Sequence, residues 1–208
     1  MPRITHIKPQ KDKSRFNIYL DGKFAFGLDA LVIVGENLKT GQEISLEEAQ
    51  ALIAANELQK YMDRVFNFLS YRPRSKKEII DYLARKKVGG ETEKVILQKL
   101  TRLNYIDDLA FAKWWLEQRQ TFRPEGKRLL KLELKRKGIS DEIIAEVLST
   151  GPELDSEQLA RQVLKKKLAR FQKLPYKEAF NKALSLLLRR GFDYETVKGV
   201  IEKELKKE

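Results

Sequence analysis

Arg123-Pro124-Glu125-Gly126-Lys127-Arg128-Leu129-Leu130-Lys131-Leu132-Glu133-Leu134-Lys135-Arg136-Lys137-Gly138-Ile139 spells one amphipathic helix that ends in a basic cluster and a glycine. Leu130 and Leu134, with Leu129 beside them, make the buried side of a helix, while Arg123, Lys127, Lys131 and Lys135 recur every fourth residue as a basic stripe. The helix ends in a basic cluster, breaks at a glycine, and is followed by a hydrophobic residue and a further helix. Arg72-Pro73-Arg74-Ser75, leading through Leu83 to Val88, repeats this design about fifty residues upstream. A looser copy runs from Ala179 through Leu187 to Arg190-Gly191-Phe192. Such a period signals stacked helical modules that bury their faces together, not one closed catalytic domain.

From Ser45 onward the chain reads as nearly all helix. Ser45-Leu46-Glu47-Glu48 is a capping box. Amphipathic runs predict helices over 46–55, 57–70, 75–87, 92–103, 108–120, 124–137, 140–148, 155–170, 175–190 and 193–205. Ser75, Asp107, Ser140 and Asp155 stand as N-caps, and Gly89-Gly90, Gly138, Gly151-Pro152 and Gly191 stand at helix exits. The helices group as a connecting helix over 46–56 and three three-helix modules over 57–103, 107–149 and 155–206. Residues 1–45 differ. Phe16-Asn17-Ile18-Tyr19-Leu20 alternates apolar and polar groups, Asp21-Gly22 is a tight-turn pair, and Lys23-Phe24-Ala25-Phe26-Gly27 resumes the strand, with Ile4 to Lys8 as a third. The expected fold is mainly α: three tandem three-helix repeats in an elongated array, preceded by a small N-terminal β-hairpin region.

Composition narrows the chemistry. A hydrophobic content of 42% can fill real cores, and a charged content of 35% implies much exposed surface. The absence of cysteine excludes a disulfide framework and thiolate metal sites and fits a reducing cytosol. With neither a signal-peptide pattern nor a membrane-length apolar run, a soluble, cytoplasmic protein away from membranes is expected. The net charge of +12 is uneven: residues 56–105 hold 12 basic and 6 acidic groups, and residues 156–208 hold 14 and 7. Within 119–137, Arg119, Arg123, Lys127, Arg128, Lys131, Lys135, Arg136 and Lys137 face only Glu125 and Glu133. A basic segment in each repeat points to a polyanion, or to a protein that carries one.

Catalysis finds little support. His6 is the single histidine, so nucleophilic triads and ordinary zinc sites are excluded. Asp107-Asp108, with Glu117 as a third carboxylate, is the one arrangement a metal-dependent nuclease would need, yet an Asp pair at a helix start is better read as satisfying orphan amides. Val88-Gly89-Gly90-Glu91 lacks the Lys-Ser/Thr ending of a phosphate loop. No catalytic residue, metal or cofactor is expected. Phe111 and Trp115 share a helix face with Ile106 and Leu109 nearby, so one of them is expected in the core, whereas Trp114 points elsewhere and is a candidate contact residue.

Several segments together resemble the RecX family, regulators of the bacterial RecA recombinase. Leu69-Ser70-Tyr71-Arg72-Pro73-Arg74-Ser75, with Glu78 and Leu83, resembles the opening of that family's first repeat. Tyr105-Ile106-Asp107-Asp108, with Phe111-Ala112, Trp115 and Arg119, resembles its most recognisable motif. Arg123-Pro124, Gly126, Glu133-Leu134 and Lys137-Gly138-Ile139 resemble the second repeat. Lys87 departs from the pattern, since members often have glycine at that helix exit.

The resemblance implies a non-enzymatic protein of three tandem three-helix repeats that lies in the groove of the RecA–single-stranded DNA filament. Members inhibit its strand exchange, ATP hydrolysis and co-protease activity, and some bind DNA directly. A monomer is expected. The residues expected at the partner or nucleic-acid surface are Arg72, Arg74, Lys76, Lys77, Arg119, Arg123, Lys127, Arg128, Lys131 and Lys135. Tyr105, Ile106, Asp107, Asp108, Phe111, Trp115 and Gly138 are expected to be motif and structural positions. The alternative is a RecA-independent DNA-binding protein with helix-turn-helix-like modules, although no module offers an exposed helix N-terminus rich in Arg, Asn or Gln for reading bases.

Overall fold

Alternation along three short strands builds an N-terminal antiparallel sheet, β1 (Ile4–Pro9), β2 (Arg15–Leu20) and β3 (Lys23–Asp29), in the order β1-β2-β3. The structure, a computed structural model, describes residues 1–11, 13–150 and 155–205. Ile7 pairs with Ile18, Ile18 with Phe26, and Phe16 with Leu28, all on one face. His6 pairs with Tyr19, and Tyr19 with Phe24, on the other. The register shifts between Ile4 and His6 and again between Ile18 and Tyr19, which brings these rings into line. Asp21 and Gly22 both take positive φ (48° and 81°), as the primed turn of a two-residue hairpin requires. The hairpin and third strand are as expected.

The apolar face packs on α1 (Ala30–Gly35) and α2 (Leu46–Ser70), and Ile4, Ile18, Leu28, Val32, Leu38, Ile44 and Leu52 form the core. Helix α1 was not expected. Its Ala-Leu-Val-Ile-Val run has no helical period, but Asp29 caps it by accepting the Leu31 N–H at 2.9 Å. Helix α2 is continuous where two helices were expected. The Ser45–Glu48 capping box opens it as read. No proline or glycine interrupts the ladder near Asn56, and that buried side chain serves the sheet, accepting the Asp29 N–H at 2.8 Å.

Eight further helices follow among the described residues: α3 (Lys76–Arg85), α4 (Gly90–Arg102), α5 (Asp108–Phe122), α6 (Lys127–Arg136), α7 (Asp141–Thr150), α8 (Ser156–Phe171), α9 (Tyr176–Arg189) and α10 (Tyr194–Leu205). Ser75, Asp107, Ser140 and Asp155 all cap as read, accepting the N–H groups of Glu78, Ala110, Ile143 and Gln158. The Gly151-Pro152 exit lies outside the described residues. The chain forms two compact units, Met1–Arg72 with Gly89–Lys99, and Pro73–Val88 with Leu100–Glu208.

Within the second unit, α5, α6 and α7 close over Phe111, Ala112, Leu116, Leu130, Leu134, Ile139, Ile144 and Val147. Helices α8, α9 and α10 close over a second core that includes Leu164, Leu187, Phe192, Val197 and Ile201. Leu134 is fully buried, and removing such a side chain costs about 2–5 kcal/mol through forfeited transfer energy and the cavity left behind.

Candidate interaction surface

Helix α6 carries the basic stripe, and both its ends are fixed by the neighbouring modules. At its start Gly126 donates its N–H to the Arg190 carbonyl at 2.8 Å, and a Cβ there would overlap the Gly191 carbonyl. Gly191, at φ +83°, in turn leaves no space, since a Cβ would lie 2.5 Å from that of Leu129. At the far end Gly138, at φ +80°, has the same restriction, its missing Cβ falling 2.5 Å from that of Lys77. The carbonyl of Lys137, the C-cap of α6, accepts the Ser75 hydroxyl at 2.7 Å, and the Lys137 ammonium pairs with Glu78. Lys76 adds its N–H to Asp108 at 2.8 Å. Each junction therefore sets the exit of one module's second helix against the entry of the preceding module's second helix. Lys87, the departure from the family pattern, keeps the same turn at φ +56° and is exposed. The left-handed turn alone admits a side chain at modest strain, whereas the junctions demand glycine for space as well.

Along α6, Leu130 and Leu134 are buried while Lys127, Arg128, Lys131, Lys135 and Arg136 are exposed. Lys135 pairs with Asp141 at 2.8 Å, and that hydrogen bond holds the Asp141 carboxyl below the usual range. Lys127, Arg128 and Lys131 make no ion pair among the described residues. A groove beside them is lined by Arg128, Leu129, Lys131, Leu132, Lys135 and the exposed Arg189 of α9.

Other cations near α6 are engaged within the protein. Arg119 grips Glu133 with two hydrogen bonds, 2.7 and 3.1 Å, and lies 4.4 Å over the Trp115 ring. Lys137 sits 4.8 Å from the same ring, and Trp115 donates its indole N–H to Glu133 at 2.9 Å. Arg123 is exposed but reaches Glu125 at 3.1 Å. Glu125 is buried, and neither of its oxygens accepts a hydrogen bond among the described residues. Burial pushes its carboxyl up, reinforced by Glu133 and opposed by Arg119, Arg123 and Arg190. Lys77 pairs with Asp81 at 2.9 Å, while Arg72 and Arg74 are half-buried and each interacts with other residues. A charge count along the chain cannot see the main pairing, because Glu133 of α6 meets Arg119 of α5 across two helices.

The motif residues are mostly architectural. Asp107 caps α5 and Asp108 holds the start of α3, so both carboxylates are committed to backbone amides. Phe111 is buried and stacks on Trp115 at 5.8 Å. Ile106 is half-buried, and Tyr105 is half-exposed with its N–H on the Leu100 carbonyl at 2.9 Å. Trp114 packs partly buried against the same core as Phe111 instead of standing clear of it. Among the described residues no helix is long and apolar enough to cross a membrane.

Four family models match in chain order: the regulatory protein RecX N-terminal domain over residues 2–45, and the first, second and third RecX three-helix domains over 62–103, 107–148 and 155–201. A regulatory protein RecX of Bacillus pumilus (strain SAFR-032) is 36% identical over 200 residues, covering 95% of this chain and 75% of that protein. One of Bacillus subtilis (strain 168) is 34% identical over 203 residues, covering 97% and 77%. A solved structure described as regulatory protein RecX aligns over 100% of both chains with a TM-score of 0.76 at 27% identity. Another, RecX from Lactobacillus salivarius, aligns with a TM-score of 0.62 at 26% identity over 72% of this chain and 97% of its own.

Proposed function

This chain belongs to the RecX family of regulatory proteins, and from that premise we propose that it binds the RecA–single-stranded DNA filament and lowers its recombinase, ATPase and co-protease activities. It acts in the cytoplasm, as a monomer, without chemistry of its own. The observation that supports this reading is the exposed flank of α6, where Lys127, Arg128 and Lys131 stand without ion pairs among the described residues. A folded module gains nothing in stability from adjacent unpaired cations, which repel one another, so a stripe of this kind is built for an anionic surface. Arg123, exposed although it pairs with Glu125, extends the stripe by one turn, and Lys76 is exposed at the start of α3.

The test is direct. Substoichiometric protein added to RecA on single-stranded DNA should slow ATP hydrolysis and block strand exchange, and the protein alone should hydrolyse neither ATP nor DNA. Unchanged RecA rates at equimolar protein, or metal-dependent DNA cleavage abolished in Asp107→Ala, would refute it.

A further inference from the structure

The outward face of the N-terminal sheet carries a row of aromatic rings that lie outside the apolar core. His6, Tyr19 and Phe24 are opposite one another on three adjacent strands, with ring centroids 6.0 Å apart at each step and edge-to-face angles of 81° and 78°. Cross-strand ring pairs help hold a small sheet together. That role does not account for Phe24, which remains 60% exposed beside the hairpin tip. The apolar core lies entirely on the opposite face.

The groups around the rings are polar and basic. Lys8 places its ammonium 5.2 Å from the Tyr19 centroid, and Lys23 is exposed next to Phe24. Further along the same face Gln10 donates to Asn17 at 2.7 Å, above Gly27, which has no side chain to cover the sheet. The nearby carboxylates are committed: Asp21 accepts the Arg3 N–H at 3.0 Å, Glu43 pairs with the Arg3 guanidinium at 3.0 Å, and Asp29 caps α1. What remains is an aromatic platform with cations at its margin and amides at one end. Docking patches for proteins are depleted in charge at their centre. Rings interleaved with cations and amides instead match unstacked bases on a phosphate backbone, since any base stacks on an exposed ring and the cations follow its phosphates.

We propose that this sheet face is a second binding site, separate from the α6 flank, that takes single-stranded nucleic acid by stacking bases on Tyr19 and Phe24 with His6 and Lys8 alongside. A duplex keeps its base faces buried and is not a ligand for it. The site needs no RecA and stands or falls apart from the filament activity.

The experiment uses the full-length protein without RecA. Anisotropy of fluorescein-labelled oligo(dT) should show binding that Tyr19→Ala/Phe24→Ala weakens by about ten-fold or more, with Tyr19→Phe close to the parent. Both substituted positions lie off the core face, and circular dichroism checks that the variants fold. Irradiating an oligonucleotide that carries 5-iododeoxyuridine and mapping the adduct by mass spectrometry should mark Tyr19 or Phe24, also in Lys127→Glu/Lys131→Glu. Three results overturn the proposal: no binding of oligo(dT), parental affinity in the double alanine variant, or adducts confined to residues beyond 72. Loss of a protein partner with oligo(dT) affinity intact makes the face a protein-docking surface and overturns it as well.

Discussion

Ser75 donates its hydroxyl to the backbone carbonyl of Lys137 at 2.7 Å, joining residues 62 positions apart in sequence. The Ser75 hydroxyl oxygen also accepts the Glu78 N–H at 3.2 Å, so one buried side chain caps α3 and satisfies the last carbonyl of α6. Ser75→Ala removes the cap and strands a carbonyl. A loss of about 2 kcal/mol is expected, more than the roughly 1 kcal/mol of an ordinary N-cap. Urea denaturation of the full chain measures it.

Asp107→Ala removes an N-cap whose side chain is bonded to the Ala110 amide alone among the described residues. About 1 kcal/mol of stability should go with the hydrogen bond to the Ala110 amide, while RecA inhibition per folded molecule is retained. A variant with the parental melting temperature and no inhibition would make Asp107 a contact residue.

The junction glycines and Lys87 should respond oppositely. Gly138→Ala and Gly191→Ala each force a side chain into a left-handed turn and into the neighbouring module, and each should cost about 2 kcal/mol or more. Lys87→Gly relieves the left-handed strain at an exposed site where no junction forms, and its melting temperature should match or slightly exceed the parent's.

Glu125 sets a pH dependence. Its carboxyl is raised in the folded protein, so between the ordinary carboxylate value and the raised one the folded chain holds more protons than the unfolded chain. Stability therefore falls as pH rises through that window. Glu125→Gln, which cannot ionise, should be more stable than the parent at about pH 7 and lose this advantage at about pH 4. Paired denaturation curves at the two values decide the sign.

Lys127→Glu/Lys131→Glu reverses two exposed cations and leaves Leu130 and Leu134 buried, so folding should survive. Filament binding should weaken, and its salt slope should shrink by about 0.7 for each single-strand phosphate that is no longer neutralised. Unchanged affinity across a salt titration makes the stripe a solvated face and moves the binding surface to another module.

The local periods made most of the fold legible. Alternation from Phe16 to Gly27 gives the hairpin, and the spacing of Leu130 and Leu134 gives α6. The misses have local causes too. Ala30–Gly35 is apolar at every position before its glycine and shows no period, and Asn56 reads as a break only because its partner, the Asp29 amide, is distant in sequence. The surface was less legible than the fold. Arg119 counts as one more cation in a basic run until α6 brings Glu133 against it. Gly138 and Gly191 announce helix exits, but their fit against Lys77 and Leu129 depends on packing between modules.

The two junctions also have an electrostatic consequence. A helix carries about half a positive charge at its N-terminus and half a negative charge at its C-terminus. Where Arg190 offers its carbonyl to the Gly126 amide, and Lys137 offers its own to Ser75, these opposite partial charges meet and cancel. Helix α6 has both ends occupied in this way. At its N-terminus, where a free helix draws a phosphate onto its amides, the Arg190 carbonyl already takes the Gly126 amide. The unpaired cations of this helix are on its flank, where Lys127, Arg128 and Lys131 are exposed, so an anionic ligand that runs beside the helix meets more of its charge than one that ends on it.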